Sequence, residues 1–246
     1  CLPAEIIFTS GTEADNWALQ ASVDVLGVTK LYHSELEHHA VTHMVEALAP
    51  KIACEPIPFN EHGDHDLDWL ESALAADAAS GRKALVSLMH ANNEIGNLVD
   101  LARLSAMTRA HGAMLHSDTV QTMAHLKLDF AATPLEFAAC SAHKFHGPKG
   151  VGFAYVKQGT GIQPFIRGGA QERGHRAGTE NVVGIAGLGA AFAAAMTNLE
   201  ADADHMQRVK SHAIEKLRSA FPTVRFNGRS GDVDRSLFTV LNFYVP

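Results

Sequence analysis

Short apolar stretches typical of buried strands alternate with stretches of helical periodicity along most of the chain. Seven strands are predicted, over Glu5–Ser10, Lys30–Ser34, Ile52–Phe59, Ala84–Asn92, Ala113–Asp118, Phe137–His143 and Val151–Lys157. Helices are predicted over Glu13–Leu26, His39–Leu48, Leu67–Ala78, Leu101–His111 and from Asn181 onward. This alternation is typical of an α/β fold with a mostly parallel sheet covered by helices, in which ligands bind at the carboxyl ends of the strands.

The last part of the chain has a different pattern. A polar helical segment, Asp202–Leu217, is followed by two strand-like pieces, Val224–Phe226 and Leu237–Tyr244. We therefore expect a large domain over residues 1–199 and an incomplete, smaller α+β domain over residues 200–246. The most apolar stretch, Val182–Met196, is rich in glycine and alanine and shorter than the roughly 20 residues that span a bilayer. It is predicted to be a buried helix.

A single lysine stands out at the end of the sixth predicted strand. Lys144 follows Ser141, Ala142 and His143, which are small or hydrogen-bonding residues. A desolvated amine at a strand end loses its proton readily, and the neutral amine attacks aldehyde carbons such as that of pyridoxal phosphate. Lys144 is therefore a candidate Schiff-base lysine. The alternative is an ordinary lysine in a surface loop.

Two further positions suit the same cofactor. Asp118 ends the fifth predicted strand, where a carboxylate can keep a pyridine nitrogen protonated, and Gln121 follows within one turn. Asp118 could instead cap a following helix. Near the start of the chain, a predicted strand ends in the small-residue turn Ser10–Thr12, and a predicted helix follows from Glu13. Free N–H groups at such a helix start favour a phosphate.

The order and content of six motifs resemble those of one known family. The motifs are Phe8–Asn16, Glu37–Val41, His90–Gly96, Asp118–Gln121, Ser141–Lys144 and Gly168–Thr179. The chain resembles the pyridoxal-phosphate-dependent cysteine desulfurases, which belong to the class V aminotransferase group of fold type I. The Asn92–Gly96 and Gly147–Gly150 segments are similar to the branch that serves iron–sulfur cluster assembly and nitrogen fixation.

The resemblance implies a role for each site residue. Lys144 would bind the cofactor covalently, and Asp118 would pair with its pyridine nitrogen. The other implied cofactor contacts are Gln121 and Asn93 at the ring hydroxyl, His38 at the ring face, and Thr12, Ser141 and His143 at the phosphate. His38 would also transfer protons, and Asn93 would contact the substrate carboxylate. Thr179 would reach the phosphate in a partner subunit of a homodimer.

The chain departs from the family pattern in two respects. Ser10, Gly11 and Thr12 are contiguous, whereas the family usually has one more small residue before the threonine, so the phosphate turn is one residue shorter here. The family's persulfide-forming cysteine and its carboxylate-binding arginine lie beyond the segment that matches Asn242–Tyr244, and the family has a further N-terminal stretch. We therefore expect the chain to be an internal part of a longer protein, inactive by itself.

Composition and cysteine use restrict the partners. The net charge is −7, with 20 basic against 27 acidic residues and no basic run, which argues against nucleic acid. Cys1, Cys54 and Cys140 have no paired spacing, which favours a reducing compartment such as the cytoplasm. Cys54 and Cys140 lie in apolar strands and are predicted to be structural. His39 and His43 have helical spacing but lack further ligands, so no metal is expected.

The function that the resemblance implies is conversion of L-cysteine to L-alanine, with the sulfur carried as an enzyme-bound persulfide. Partners implied by the resemblance are a sulfur-acceptor or iron–sulfur scaffold protein and a second copy of the chain, with no membrane. Two alternatives stay open. One is a related pyridoxal-phosphate-dependent lyase or aminotransferase of the same fold. The other is a non-catalytic relative that acts as a partner in sulfur transfer.

Overall fold

The computed structural model describes residues 1–246 and contains one seven-stranded sheet. Its strands are β1 (Ile6–Thr9), β2 (Lys30–His33), β3 (Ala53–Pro56), β4 (Ala84–Ser87), β5 (Met114–Asp118), β6 (Phe137–Ser141) and β7 (Gly152–Val156). Their order across the sheet is β1-β7-β6-β5-β4-β2-β3. Only β7 runs antiparallel to its neighbours, β1 and β6. The predicted mostly parallel α/β fold is confirmed.

Five helices cover the two faces of the sheet. They are α1 (Gly11–Asp24), α2 (His39–Leu48), α3 (Leu67–Ala79), α4 (Leu101–Ala110) and α5 (Val182–Ala220). Side chains that accept backbone N–H groups fix where helices begin: the Asp66 carboxylate caps α3, and that of Asp100 caps α4. Neighbouring residues of β6 point to opposite faces, so Phe137 packs with α1 whereas Ala138 joins the core on the other side.

Several strands end earlier than predicted. The predicted strand Ala84–Asn92 leaves the sheet after Ser87, although Leu88 and Met89 are still buried. The predicted strand Phe137–His143 likewise ends at Ser141 and continues as a short 3-10 turn. Loops that cross the end of a sheet bury apolar side chains as strands do. An apolar run therefore does not distinguish the two.

The prediction that Val182–Met196 is buried was wrong. The segment is helical, but only Gly184 and Leu188 in it are buried, and Val183 is 85% exposed. Small residues let this part of α5 lie along the surface. There the Phe192 ring packs edge to face on the Phe145 ring, with 5.8 Å between the ring centroids. By length and composition alone, α5 is long and apolar enough to cross a membrane. Core helices of water-soluble proteins meet the same two criteria.

The C-terminal part forms a small separate sheet. β8 (Arg225–Phe226) pairs antiparallel with β9 (Phe243–Tyr244), so only the end of the predicted strand Leu237–Tyr244 is a strand. The ammonium of the buried Lys210 of α5 donates to Ser236 Oγ at 2.6 Å. α5 is continuous across residues 199 and 200, so the proposed domain division falls inside one helix and stays a prediction.

Two glycines allow a matched test of packing. A Cβ added at Gly152 of β7 would lie 1.9 Å from the Cys140 carbonyl oxygen, whereas one added at Gly189 of α5 meets nothing within 4 Å. We expect Gly152→Ala to lower the free energy of unfolding by at least about 2 kcal/mol, because two paired strands must separate. Gly189→Ala is expected to raise it by about 0.5–1 kcal/mol. Denaturant unfolding measures both, and equal effects would contradict this packing of β6 against β7.

Candidate functional site

A polar cavity of about 170 Å³ lies where the carboxyl ends of β1, β2, β4, β5 and β6 meet. We call it the cofactor cavity. Its lining residues are Gly11, Thr12, Asp15, His38, Met89, Asn93, Asp118, Val120, Gln121, Ser141, His143 and Lys144. The structure thus brings together all the predicted site residues except Thr179. Thr179 is exposed in a loop and lines no part of this cavity.

One end of the cavity can hold an anion. Gly11 and Thr12 form the first turn of α1, whose N–H groups have no partner within the helix. Ser10 Oγ accepts the N–H of Glu13, so the helix begins directly after the strand despite the contiguous Ser-Gly-Thr sequence. Opposite this turn, Ser141 Oγ lies 2.8 Å from His143 Nδ1. A Cβ at Gly11 would come within 3.2 Å of Ser141 Cβ, a tighter contact than most side chains make, so glycine favours the close approach of α1 to β6.

Asp118 is a buried acid on the cavity wall. The residue is only 5% exposed, and its Oδ1 accepts the Val120 N–H at 2.8 Å. Burial raises its pKa from the ordinary 3.8 to about 7, and the nearby Asp15 adds to this rise. Asp118 therefore does stabilise a turn, which was the alternative interpretation. Oδ1 alone serves the turn, and the cavity that Asp118 lines leaves Oδ2 available to a ligand.

The position and exposure of Lys144 differ from those predicted. It lies in the 3-10 turn Ala142–Phe145 that follows β6, rather than in the strand, and it is exposed. The expectation of a desolvated amine is therefore wrong for the chain without ligand, because the cofactor cavity opens toward a second cavity at this point. Lys144 still lines the same cavity as Asp118, so a ligand that fills the cavity would contact both.

His38 caps α2 with its ring. The Ala40 N–H donates to His38 Nδ1 at 3.1 Å, so the neutral ring carries its proton on Nε2. Nε2 makes no hydrogen bond within the chain and is free for a ligand.

Asn92, the buried residue before Asn93, joins two loops, because its amide donates to the Leu36 carbonyl at 2.7 Å and its oxygen accepts the Glu94 N–H. Asn92 therefore orients the loop that carries Asn93.

Four residues of the site region were not predicted: Asp15, Glu37, Met89 and His116. Glu37 is buried, and its Oε1 accepts the Met89 N–H at 2.5 Å. Burial raises the pKa of the Glu37 carboxyl well above its usual range. Asp15 lies three residues after Thr12, and His116 lies two before Asp118. Helical and strand periodicity would have placed both on the same faces as the predicted residues.

A second cavity, of about 640 Å³, adjoins the first. The two share Asn93, Gln121 and Lys144, and the second is also lined by His125 and Phe238. The buried His125 Nδ1 has no hydrogen-bond partner. A group held in the cofactor cavity would therefore face an adjoining space that is open to small polar molecules.

The residues present fit pyridoxal phosphate. The start of α1 and the Ser141–His143 pair suit a dianionic phosphate, Asp118 suits a pyridine nitrogen, and Lys144 suits an aldehyde. No group of His, Cys, Asp or Glu side chains in residues 1–246 is arranged to hold a metal ion.

Comparisons with known proteins agree with this geometry. The Aminotransferase class-V family matches residues 2–245. Cysteine desulfurase IscS of Clostridium botulinum is 35% identical over 97% of this chain, and that of Dictyoglomus turgidum is 38% identical over 91%. A solved NifS-like protein superposes on the whole chain with a TM-score of 0.91 and 32% identity, over 66% of its own length. The chain spans 57–60% of the length of these two curated relatives.

Because Asp118 is buried, we expect its substitution to increase the free energy of unfolding by an amount that depends on pH. Its raised pKa means that the folded chain binds the proton more tightly than the unfolded chain, so its contribution to stability falls as the pH rises from about 4 to 7. At about pH 8, Asp118→Asn should raise the free energy of unfolding by more than about 2 kcal/mol, and at about pH 4 by almost nothing. The exposed Asp204→Asn is the control. An Asp118→Asn effect of the same size at both pH values would show that the carboxyl is not held protonated.

Proposed function

The chain belongs to the class-V aminotransferase family, and from this premise we propose that it carries the cofactor site of a cysteine desulfurase. Proteins of this family depend on pyridoxal phosphate, and the relatives named above are called cysteine desulfurases. One observation carries the proposal. Lys144, Asp118 and the start of α1 line a single cavity, in positions that suit the aldehyde, the ring nitrogen and the phosphate of that cofactor.

The chain's own residues would hold the cofactor at both ends. Thr12, Ser141 and His143 would bind the phosphate, and the Lys144 amine would bind the aldehyde carbon. Gln121 and Asn93 would donate to the ring hydroxyl. When bound, the cofactor withdraws electrons from the substrate α-carbon. Asp118 would favour this by keeping a proton on the ring nitrogen.

Proton transfer falls to His38 and Lys144. Because Nδ1 of His38 accepts a backbone N–H, its Nε2 is the atom that can give or take a proton in the cavity. L-Cysteine would enter through the second cavity, which adjoins the cofactor cavity at Lys144 and Asn93. Asn93 would contact the substrate carboxylate there. The products would be L-alanine and a persulfide sulfur on a thiol.

None of the chain's three cysteines is suited to accept that sulfur. Cys140 is completely buried, which raises the pKa of its thiol far above the usual range, and it lies in the core as predicted. Cys54 lies on β3, which three strands separate from β6, and burial also raises its pKa. Cys1 precedes the amino end of β1, whereas the site lies at the carboxyl end. We therefore propose that residues 1–246 alone do not convert cysteine to alanine.

Partners follow from the same assignment. Thr179 is exposed outside the cofactor cavity, which suits a role in a second copy of the chain. Exposed apolar residues close to it in sequence, Val182 and Val183, could be buried in such a homodimer. The proposed acceptor is a sulfur-transfer or iron–sulfur scaffold protein. All three cysteines are free, in keeping with a reducing, cytoplasmic setting.

Covalent attachment of the cofactor tests the lysine assignment. After incubation with pyridoxal phosphate and borohydride reduction, peptide mapping should find the label on Lys144 and lose it in Lys144→Met. Lys149→Met, which changes an exposed lysine in the following turn, should keep the label. Label on another lysine, or label that survives Lys144→Met, would contradict the assignment.

Exchange of the α-hydrogen tests the chemistry without a nucleophilic cysteine. In deuterated water, the cofactor-loaded chain should replace the Cα hydrogen of L-alanine, the proposed product, without forming keto acid. Asp118→Asn should slow this exchange at least about 100-fold while leaving borohydride labelling intact, because the ring nitrogen loses its counter-ion.

Three results would count against this proposal. Stoichiometric keto acid would favour an aminotransferase, and absence of exchange would favour a non-catalytic relative. Alanine release from L-cysteine that disappears in Cys54→Ala or Cys140→Ala would make one of these residues the nucleophile.

A further inference from the structure

Glu37 is a buried acid in the turn between β2 and α2, and it is not part of the cavity lining. The residue is 6% exposed, and its Oε1 accepts the Met89 N–H at 2.5 Å. Met89 is also buried and belongs to the loop that follows β4. The Glu37 side chain therefore joins two loops that come from neighbouring strands of the sheet.

The residues at both ends of this contact belong to the wall of the cofactor cavity. Met89 lines the cavity, and so does His38, the residue that follows Glu37. A second hydrogen bond joins the same two loops, because the Asn92 amide donates to the Leu36 carbonyl at 2.7 Å. The two residues before His38 are thus each bonded to the loop after β4, which fixes the direction in which the chain enters α2.

The hydrogen bond that His38 makes depends on this direction. His38 is the residue before the first turn of α2, its backbone is extended with φ −61° and ψ 150°, and its Nδ1 accepts the Ala40 N–H at 3.1 Å. A side chain caps a helix in this way when its own backbone is held outside the helix. The cap leaves Nε2 as the ring atom that is available to a ligand.

The surroundings of Glu37 favour a neutral carboxyl group. Its Oε2 is buried and has no hydrogen-bond partner in residues 1–246, so a negative charge there would be neither solvated nor paired. Burial also raises the pKa of this carboxyl well above its usual range. A neutral carboxyl still accepts the Met89 N–H through its carbonyl oxygen. The side chain therefore supplies an acceptor at a fixed reach, which a glutamine would supply equally.

We propose that Glu37 is a positioning residue that holds His38 and Met89 in the wall of the cofactor cavity. This inference rests on the proposed function, in which His38 transfers protons at the ring face. Glu37 itself contacts neither cofactor nor substrate. Without its acceptor, the Met89 N–H is buried and unpaired, and the two loops must separate before water can reach it. A displacement of His38 by about 1 Å is enough to slow proton transfer strongly.

Two substitutions of similar size separate the acceptor from charge and bulk. Glu37→Gln keeps an oxygen for the Met89 N–H, whereas Glu37→Met fills the same space without one. In the cofactor-free chain, hydrogen exchange followed by NMR should show the Met89 and Ala40 amides exchanging at least about 10-fold faster in Glu37→Met and within about twofold of the native rate in Glu37→Gln. Equal acceleration of the α4 amides would indicate a general loss of stability and would overturn the proposal.

Activity gives an independent readout in the cofactor-loaded chain. Glu37→Met should lower the maximal rate of Cα-hydrogen exchange in L-alanine at least about 10-fold, without a comparable change in KM or in borohydride labelling of Lys144. Glu37→Gln should keep a near-native rate.

The matched control is Glu5→Met. Glu5 is another buried glutamate whose Oε1 accepts a backbone N–H, that of Gln158 at 3.0 Å, and it precedes the amino end of β1, opposite the cavity. Its substitution should speed exchange of the Gln158 amide and leave both the Ala40 amide and the L-alanine reaction unchanged.

Two further results would overturn the proposal. Loss of both readouts in Glu37→Gln as well as in Glu37→Met would show that a charge is needed, and native behaviour of Glu37→Met would show that the hydrogen bond to Met89 is dispensable. If Glu37→Met does not fold, Glu37→Asp, whose carboxyl falls one methylene short of Met89, should show the same faster exchange at Ala40, and a native rate there would overturn it equally. Faster exchange in a chain that takes no label at Lys144 would instead refute the proposed function and leave the positioning of His38 standing.

Discussion

Parallel pairing of β2, β4, β5 and β6 brings the carboxyl ends of these strands to one edge of the sheet, and the whole site depends on this alignment. Each strand delivers a different group. The loop after β2 carries His38, the loop after β4 carries Asn93, β5 ends at Asp118, and the turn after β6 carries Lys144. The start of α1 completes the cavity from the β1 side. Residues far apart in sequence meet because parallel strands all end at the same edge.

The same edge gathers three buried carboxyl groups, which lowers stability. Asp15, Glu37 and Asp118 all have raised pKa values because burial disfavours their charged forms. Each has a compensating partner: Asp15 has His116, Glu37 has the Met89 N–H, and Asp118 has the Val120 N–H. A carboxyl group that becomes charged when a ligand binds must be buried before the ligand arrives, and that burial is unfavourable for its charged form.

Periodicity was enough to predict the order of strands and helices along the chain. Residue chemistry together with the family resemblance was enough to predict most of the cavity wall. Periodicity failed where tertiary packing decides whether an apolar segment is a strand, a loop or an exposed helix. Leu88 and Met89 are apolar and buried but lie in a loop, so the fourth strand was predicted too long. The apolar start of α5 is largely exposed, which composition alone cannot show. The pairing of His116 with Asp15 joins residues 101 positions apart, which only the folded chain reveals.

The central claim is that one cavity holds both ends of pyridoxal phosphate, and a crystal structure of the chain with the cofactor tests it most directly. We predict electron density continuous with Lys144 Nζ, a phosphate at the N–H groups of Gly11 and Thr12, and a ring nitrogen within hydrogen-bond distance of the Asp118 carboxyl. A cofactor bound at another lysine, or a ring nitrogen with no contact to Asp118, would contradict the account.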